Sequence, residues 1–266
     1  MSVLSSSQQL LVSIATYNER ENLASLVREI HSVRPAADIL VIDDNSPDGT
    51  GNLADELASA DPRIHTLHRS GKQGLGTAIL AGVQYAVDHH YDFFLNMDAD
   101  FSHHPRYLPA LIAGMQKYDV MIGSRYIPGG GVLNWPWSRR FMSRGVNLLV
   151  RFLFRMPVRD ASGGFRCYRV SKLREADLQN MYSRGYSFQE EMLYRCWRAG
   201  CTLGETPIIF EDRRAGRSKA DPKEIVRSLS LVVWIGVRAL MGAGEVKNKP
   251  GSESAPKETP PPGHNG

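Results

Sequence analysis

Short apolar runs alternate with amphipathic stretches along the first half of the chain. LLVSIA (10–15), DILVID (38–43), RIHTLH (63–68), YDFFLNM (91–97) and DVMIGS (119–124) have the length and composition of buried strands. Between them, apolar residues recur at helical spacing. Leu23, Leu26, Val27 and Ile30 mark a helix over 20–33. Ile79, Leu80, Val83, Tyr85 and Val87 mark another over 77–90, and Leu108, Leu111, Ile112 and Met115 a further one. Strands that alternate with helices predict βαβ units and an α/β fold with a mostly parallel, Rossmann-like central sheet flanked by helices. The turn-rich DNSPDGTG that follows the second run offers Asp or Thr to cap the next helix.

After Gly131 the pattern changes. A basic helix is expected over 138–155, a glycine-rich strand SGGFRCYR over 162–169, a helix over 187–199 and an apolar strand LGETPIIFE over 203–211. DRRAGRSKAD (212–221) reads as a polar, basic loop, and a last helix is expected over 222–241. Beyond Gly242, proline, glycine and charge dominate. This predicts one catalytic-sized domain over 1–242 and a disordered tail over 243–266.

Composition narrows the partners. Of 266 residues, 42% are hydrophobic and 23% charged, enough for a sizeable core. The net charge of +4 is no nucleic-acid signature. Basic residues cluster at 139–144 and 213–219, which points to anionic ligands or a phospholipid surface. The three cysteines, Cys167, Cys196 and Cys201, form no C-x-x-C and read as reduced thiols of a cytosolic protein. No signal peptide is expected at the N-terminus, and no run reaches the ~18 apolar residues of a membrane span.

The candidate chemistry lies where strands end, since ligands of such sheets bind beyond the carboxyl ends of the strands. Four ends carry polar groups: Thr16–Glu19, Asp43–Asn45, Asp98–Asp100 and Ser124–Arg125. Asp98 and Asp100 are hard oxygen ligands suited to Mg²⁺ or Mn²⁺, which take the rest of their shell from water and substrate phosphates. Asp43 and Asp44 suit nucleoside recognition, with Tyr17 and Glu19 beside them. KQGLGTA (72–78) lacks the third glycine of a dinucleotide fingerprint, because Ile79 stands there. It reads as a tight loop into a helix, with Lys72 as a phosphate or sugar contact. The pairs His89–His90 and His103–His104 have no cysteine at ligand spacing and read as solvated or packing residues. Arg125 follows an apolar strand on the acidic edge, where its fork can bind phosphate oxygens. Arg144, Arg214 and Arg217 read as solvated surface.

TYNERENL (16–23), VIDDNSPDGT (41–50), GLGTA (74–78), MDADFSHHP (97–105), GSRYIPGGGV (123–132), SRGVN (143–147), SGGFRCYR (162–169) and SFQEEM (187–192) occur in this order. Together they resemble the dolichyl-phosphate and polyprenyl-phosphate mannose synthases of glycosyltransferase family 2. The resemblance spans about residues 10–240 and implies the GT-A fold. It implies a donor site of Tyr17, Glu19, Ile42, Asp43, Asp98, Ala99, Asp100 and Arg125, with Arg213 and Lys219 on a loop that closes over the donor. It implies metal ligation by Asp98 and Asp100, with Ser102 where some members carry a glutamine. Arg125, Arg139 and Ser143 match positions that bind phosphates of donor and lipid acceptor. Ala15 stands where proline is usual, and SGGF where TGSF is usual.

The implied reaction moves mannose from GDP-mannose to a polyprenyl (dolichyl-type) phosphate, with inversion and with Mg²⁺ or Mn²⁺. A phosphate oxygen is already a nucleophile, so no general base is needed, and Glu190 and Glu191 are expected only to support. The rivals are another donor such as UDP-glucose, and a non-catalytic nucleotide-binding regulator of the same fold. A lipid acceptor without a membrane span implies peripheral attachment at the cytoplasmic face, on the membrane surface or a small membrane-anchoring partner. LSLVVWIGV (229–237), bracketed by Arg227 and Arg238, is the candidate device.

Overall fold

The computed structural model describes residues 8–183, 185, 187–211 and 230–238. The five expected strands are β1 (Leu10–Thr16), β2 (Asp38–Asp43), β3 (Ile64–His68), β4 (Phe93–Asp98) and β5 (Val120–Ser124). The helices between them are α1 (Arg20–Val33), α2 (Thr50–Ala60), α3 (Leu75–Asp88) and α4 (Leu108–Gly114). The second half adds β6 (Gly131–Leu133), α5 (Trp137–Phe154), β7 (Arg166–Arg169), α6 (Val170–Glu175), α7 (Phe188–Arg198), β8 (Leu203–Pro207) and β9 (Ile209–Glu211).

One seven-stranded sheet runs in the order β3-β2-β1-β4-β7-β5-β8, and β6 pairs with β9 in a separate two-stranded ribbon. Side-chain alternation sorts the apolar residues of each strand onto two faces. Leu11, Leu40, Ile42, Phe94, Val120 and Ile122 pack with α3, α5, α6 and α7. Val12, Ile14, Ile39, Val41, Leu95 and Met97 pack with α1, α2 and α4. Each fully buried Leu, Ile or Val contributes about 1.5–3 kcal/mol. These two cores hold the strand ends at a common edge.

The structure departs from the expected pattern in two of the predicted strands. β7 covers only Arg166–Arg169 and runs antiparallel to both neighbours, with Asn96 opposite Arg166 and Ile122 opposite Arg166 on the other side. Residues 162–164 belong to a loop. The stretch 203–211 is two strands. β8 ends at Pro207, which has no N–H to extend a ladder, and β9 then turns away to pair with β6. Of the last expected helix, residues 230–238 are helical, with Val232 and Ile235 packed into the core. The rest of it, the loop 212–221 with Arg213 and Lys219, and the tail 243–266 lie outside the described residues. All three cysteines are free and buried.

Candidate functional site

β1 lies between β2 and β4, so Ala15 has Ile42 on one side and Asp98 on the other. The first two loops of the edge are laced together by the polar residues of DNSPDGT. The backbone N–H of Asn18 donates to Ser46 Oγ (3.1 Å), that of Glu19 to Thr50 Oγ1 (3.0 Å) and that of Arg20 to Asp48 Oδ2 (3.2 Å). Asn18 and Asn45 adopt positive φ at the two bends, where asparagine is tolerated. The turn chemistry and the site are therefore the same residues.

Asp43 is buried and accepts from Thr16 Oγ1 (3.0 Å) and the Ser46 N–H (3.0 Å). Gly51 is required beside it, since a Cβ there would come within 2.9 Å of Asp43 Oδ2. Asp44 is committed to Arg69, with Oδ1 2.6 Å from Nε. The groups open to a ligand on this side are Tyr17, whose ring carries the Lys72 ammonium 4.8 Å from its centroid, and Glu19, which accepts from Asn22 Nδ2 (2.8 Å). Ile42 is wholly buried in the core, so the expected donor contact there is not a side-chain contact. Ala99 is also buried.

Asp98 ends β4 with a part-exposed carboxylate. Its N–H donates to Nδ1 of His103 (3.0 Å), which places the proton of that imidazole on Nε2. His103 is buried and stacked on Phe165, 5.0 Å between centroids, so the packing role expected of it holds. Asp100 Oδ1 accepts from the Ser102 N–H (3.1 Å), and Phe101 between them takes φ 63° to close the turn. Ser102 is buried, and its Oγ has no hydrogen-bond partner among the described residues. A divalent ion fits this arrangement. Two carboxylates and an orphaned hydroxyl share one turn, and among the described residues no group of three His, Cys, Asp or Glu forms a closed metal cage. An open site of this kind suits Mg²⁺ or Mn²⁺ with substrate phosphates completing the shell.

β7 separates β4 from β5, which sets Ser124 about 10 Å from Asp98 across two strand spacings. Gly164 lies in the gap, its carbonyl accepting from Asn96 Nδ2 (2.9 Å). A Cβ there would meet Gln189 Nε2 at 3.2 Å and His103 Cε1 at 3.5 Å, so the floor is flat because the residue is glycine.

Arg125 occupies an unexpected position. It is 9% exposed and locked to Asp160 by Nε–Oδ2 (2.8 Å) and Nη2–Oδ1 (2.7 Å), with Nη2 also donating to Ser162 Oγ (2.8 Å). Its guanidinium is thus engaged by the fold, where a direct phosphate ligand was expected. Asp160 accepts in addition from the N–H of Arg125 (2.9 Å) and of Gly163 (3.0 Å). Burial alone would raise the Asp160 pKa. The Arg125 charge and its hydrogen bonds outweigh that and hold it below the ordinary 3.8. Beside this pair, buried Asn147 of α5 is saturated, accepting from Ala161 and Ser162 N–H and donating to Ser143 O and Ser162 Oγ. Neither Asp160 nor Asn147 stands out by type. Asp160 is, however, the lone acidic residue between Asp119 and Glu175 in a strongly basic stretch, and that was the available signal.

On α5, Ser143 Oγ accepts from Tyr126 OH (2.7 Å), and the Arg139 guanidinium lies 4.0 Å from the Trp135 ring centroid. Trp135 is buried between Arg139 and Phe210, with its indole N–H unpartnered among the described residues. Arg144, read from the sequence as solvated surface, is exposed but also lines a cavity with Arg125, Arg151 and Arg159.

The two carboxylates of SFQEEM behave differently. Glu191 caps the segment before α7, accepting from the N–H of Tyr182 (3.0 Å) and Ser183 (2.7 Å) and pairing with Arg195. Glu190 is buried with Oε2 unpartnered among the described residues. Burial pushes it from 4.5 to about 7, only partly offset by its own backbone N–H and by Arg166 and Arg125.

Comparison with known proteins places this edge in context. Residues 11–176 match the model of glycosyl transferase family 2. The polyprenol monophosphomannose synthase of Mycolicibacterium smegmatis is 45% identical over 233 residues, covering 87% of this chain and 88% of the relative. The undecaprenyl-phosphate mannosyltransferase of Micrococcus luteus is 40% identical over 241 residues, covering 88% and 99%. Among solved structures, glucosyl-3-phosphoglycerate synthase from Mycobacterium tuberculosis, in complex with Mn²⁺, UDP and glucosyl-3-phosphoglycerate, superposes with a TM-score of 0.60 at 16% identity, over 90% of this chain and 82% of that one. The fold is the GT-A fold that the motifs implied. A family match that takes in every strand end of the acidic edge, joined to relatives aligned along most of both chains, shows that this chain belongs to glycosyltransferase family 2.

Proposed function

We propose that the protein transfers mannose from GDP-mannose to a polyprenyl phosphate, with a divalent ion and with inversion, at the cytoplasmic face of a membrane. The observation that carries this reading is the pair of mannosyl-transferring relatives, 45% and 40% identical across nearly the whole chain. Among the described residues no helix is long and apolar enough to cross a membrane, which fits peripheral attachment. Lipid-extractable label formed from labelled GDP-mannose and undecaprenyl phosphate tests the proposal. Label transferred only from UDP-glucose would replace the donor.

Tyr17, Lys72 and Glu19 would hold the nucleoside end, with Asp43 keeping their loops in place. Asp98 and Asp100, with Ser102 beneath them, would hold the ion, which when bound supplies positive charge to the departing diphosphate. Arg213 and Lys219, outside the described residues, are proposed to add charge from the closing loop. Arg139 and Ser143 would aim the acceptor phosphate. The proposed role of Arg125 is to fix the 160–164 loop through Asp160 and to lend its remaining field to the phosphates. The acceptor oxygen is ionised near neutral pH, so attack needs alignment and charge stabilisation more than proton removal.

Arg139→Ala should raise the KM for lipid phosphate by roughly ten- to hundredfold, the worth of one charge-assisted bond of about 1.5–3 kcal/mol. GDP-mannose binding should hold. Steady-state kinetics with each substrate varied in turn checks this, and a defect confined to the donor would move Arg139 to the other subsite.

Among the described residues, Glu190 is the one carboxyl whose perturbation favours a second reading, as a general base. Glu190→Gln separates the two. Loss of a general base costs about 10²–10⁴ in rate, whereas the proposed mechanism predicts a change of less than about tenfold. The substitution also has a stability signature. A carboxyl whose folded pKa lies above its ordinary value binds its proton more tightly when folded. Wild-type stability should therefore fall as pH rises from 4.5 to about 7. Denaturant midpoints of Glu190→Gln should lack that fall and exceed wild type at pH 8.

A further inference from the structure

Gln189 has no role in the mechanism above, yet it is built into the floor of the site. Residues directly opposite in neighbouring antiparallel strands share one face of the sheet. Tyr168 of β7 stands opposite Phe94 of β4 on one side and Val120 of β5 on the other, and all three lie in the core that α7 covers. Four residues on, the same register sets Gly164 between Asp98 and Ser124, on that same face. The pairing holds that far, since the Phe165 carbonyl accepts from the Gly123 N–H (2.8 Å) and the Gly164 carbonyl from Asn96 Nδ2 (2.9 Å).

α7 begins above this row, and Gln189 is its second residue. The Gln189 carboxamide lies over Gly164, with Nε2 3.2 Å from the point where a Cβ would stand. Its backbone is fixed from below. Arg166, wholly buried, donates Nη1 to the Gln189 carbonyl (2.7 Å) and Nη2 to the Ala161 carbonyl (2.6 Å), so one guanidinium ties the first turn of α7 to the loop beneath it.

Gln189 is 8% exposed. Its carboxamide makes no hydrogen bond among the described residues, although neither of its polar atoms is sealed from solvent. An amide withdrawn this far from water and left unpaired is costly, and it offers two N–H donors and an accepting oxygen. An ionised phosphate oxygen only accepts, whereas a sugar hydroxyl both donates and accepts and so matches the amide. Position selects the same ligand. Asp98, proposed to hold the ion at the donor diphosphate, lies on one side of Gly164. On the other side, Arg125 follows Ser124 and reaches through Ser162 and Asn147 to Ser143, where the acceptor phosphate is proposed. In a direct displacement the transferred sugar lies between those two phosphates.

We propose that the Gln189 carboxamide binds a hydroxyl of the hexose carried by the donor and takes part in choosing that sugar. The assignment rests on the nucleotide-sugar reading above. It also accounts for an uncharged residue at this position: a carboxylate between two phosphates would repel both.

The test is titration of the full chain with GDP and with GDP-mannose, in Mn²⁺ and without acceptor. Gln189→Met keeps the length of the side chain and removes its hydrogen-bonding groups. It should leave the Kd for GDP unchanged and raise that for GDP-mannose roughly three- to tenfold, the worth of one hydrogen bond. The melting temperature without ligand should stay at the wild-type value or rise, because the amide has no partner in the fold to lose; a purely structural residue would lower it. Of 2-, 3-, 4- and 6-deoxy GDP-mannose, one should bind wild type more weakly by that same factor and lose nothing further in Gln189→Met. Gln189→Asn, which keeps the amide but falls short by a methylene, should repeat the pattern and serves where methionine disturbs α7. Equal weakening of GDP and GDP-mannose, or four deoxy donors that each lose as much in the variant as in wild type, would overturn the proposal. If the cycle comes out as expected but no mannolipid forms with acceptor, the contact stands and the proposed transfer fails. If wild type binds UDP-glucose and not GDP-mannose, the donor reading fails, and the same cycle on deoxy UDP-glucoses decides Gln189.

Discussion

Asp100→Ala is expected to abolish transfer and to leave the fold intact. The Asp100 carboxylate accepts locally, from the Ser102 N–H in its own turn, a bond worth about 1 kcal/mol of stability. Its loss as the proposed metal ligand is another matter. The departing diphosphate would face the site with one fewer fixed anion to hold its counter-charge, a defect of several kcal/mol in transition-state stabilisation and at least a hundredfold in kcat. Isothermal titration with Mn²⁺ in the presence of GDP should show the ion lost as well. A folded variant that turns over at the wild-type rate in saturating metal would remove Asp100 from the site.

Asp160→Ala is expected to destabilise the protein by about 3–5 kcal/mol, the cost of leaving a buried charge without its partner. The side chain is wholly buried and holds the Arg125 guanidinium at two points, together with the backbone of Arg125 and Gly163. Removing it strands a cation in the core and frees the glycine loop that floors the site, so activity should fall with stability. Asp160→Asn keeps the shape and loses the charge, and should sit between. Because the folded pKa lies below 3.8, the pair contributes stability that is present above that value and lost as pH falls through the folded pKa. Urea midpoints measured from pH 7 down to pH 3 should converge for wild type and Asp160→Asn only at the acid end. A midpoint unchanged at pH 7 would show that the pair is not what orders this loop.

Much of the fold was legible because its signals are local. β1 to β5 are runs in which alternate residues feed two cores, and the helices between them show their buried stripe in sequence. β7 was not legible. Four residues with Arg166 and Arg169 among them carry no strand period, and the antiparallel direction depends on the path of α5 around the sheet. The division of 203–211 turns on Pro207 and on a partner strand, β6, nearly eighty residues earlier, Gly131 pairing with Ile209.

The placement of the candidate site residues was legible where one turn makes it and obscure where two distant segments meet. Tyr17, Glu19, Asp43, Asp98 and Asp100 end adjacent strands, and the parallel topology alone brings them to one edge. Arg125 was found by its place at the end of β5, but its partner Asp160 is 35 residues away and its commitment to that partner is a tertiary fact. The same holds for Trp135 under Arg139 and for Asn147 between Ser143 and the 160–162 loop. Ile42 points its side chain into the core because strand residues alternate, a direction that its place next to Asp43 does not reveal.

The central claim is the identity of the sugar and of the acceptor. The most direct measurement incubates purified full-length protein with undecaprenyl phosphate, Mn²⁺ or Mg²⁺, and labelled GDP-mannose, GDP-glucose, UDP-glucose or UDP-galactose in parallel, and extracts the lipid. The account predicts metal-dependent label from GDP-mannose alone, in a product that mild acid hydrolysis returns as mannose. Lipid label from a UDP-sugar in preference, or from none of the donors while the protein still binds GDP, would contradict it.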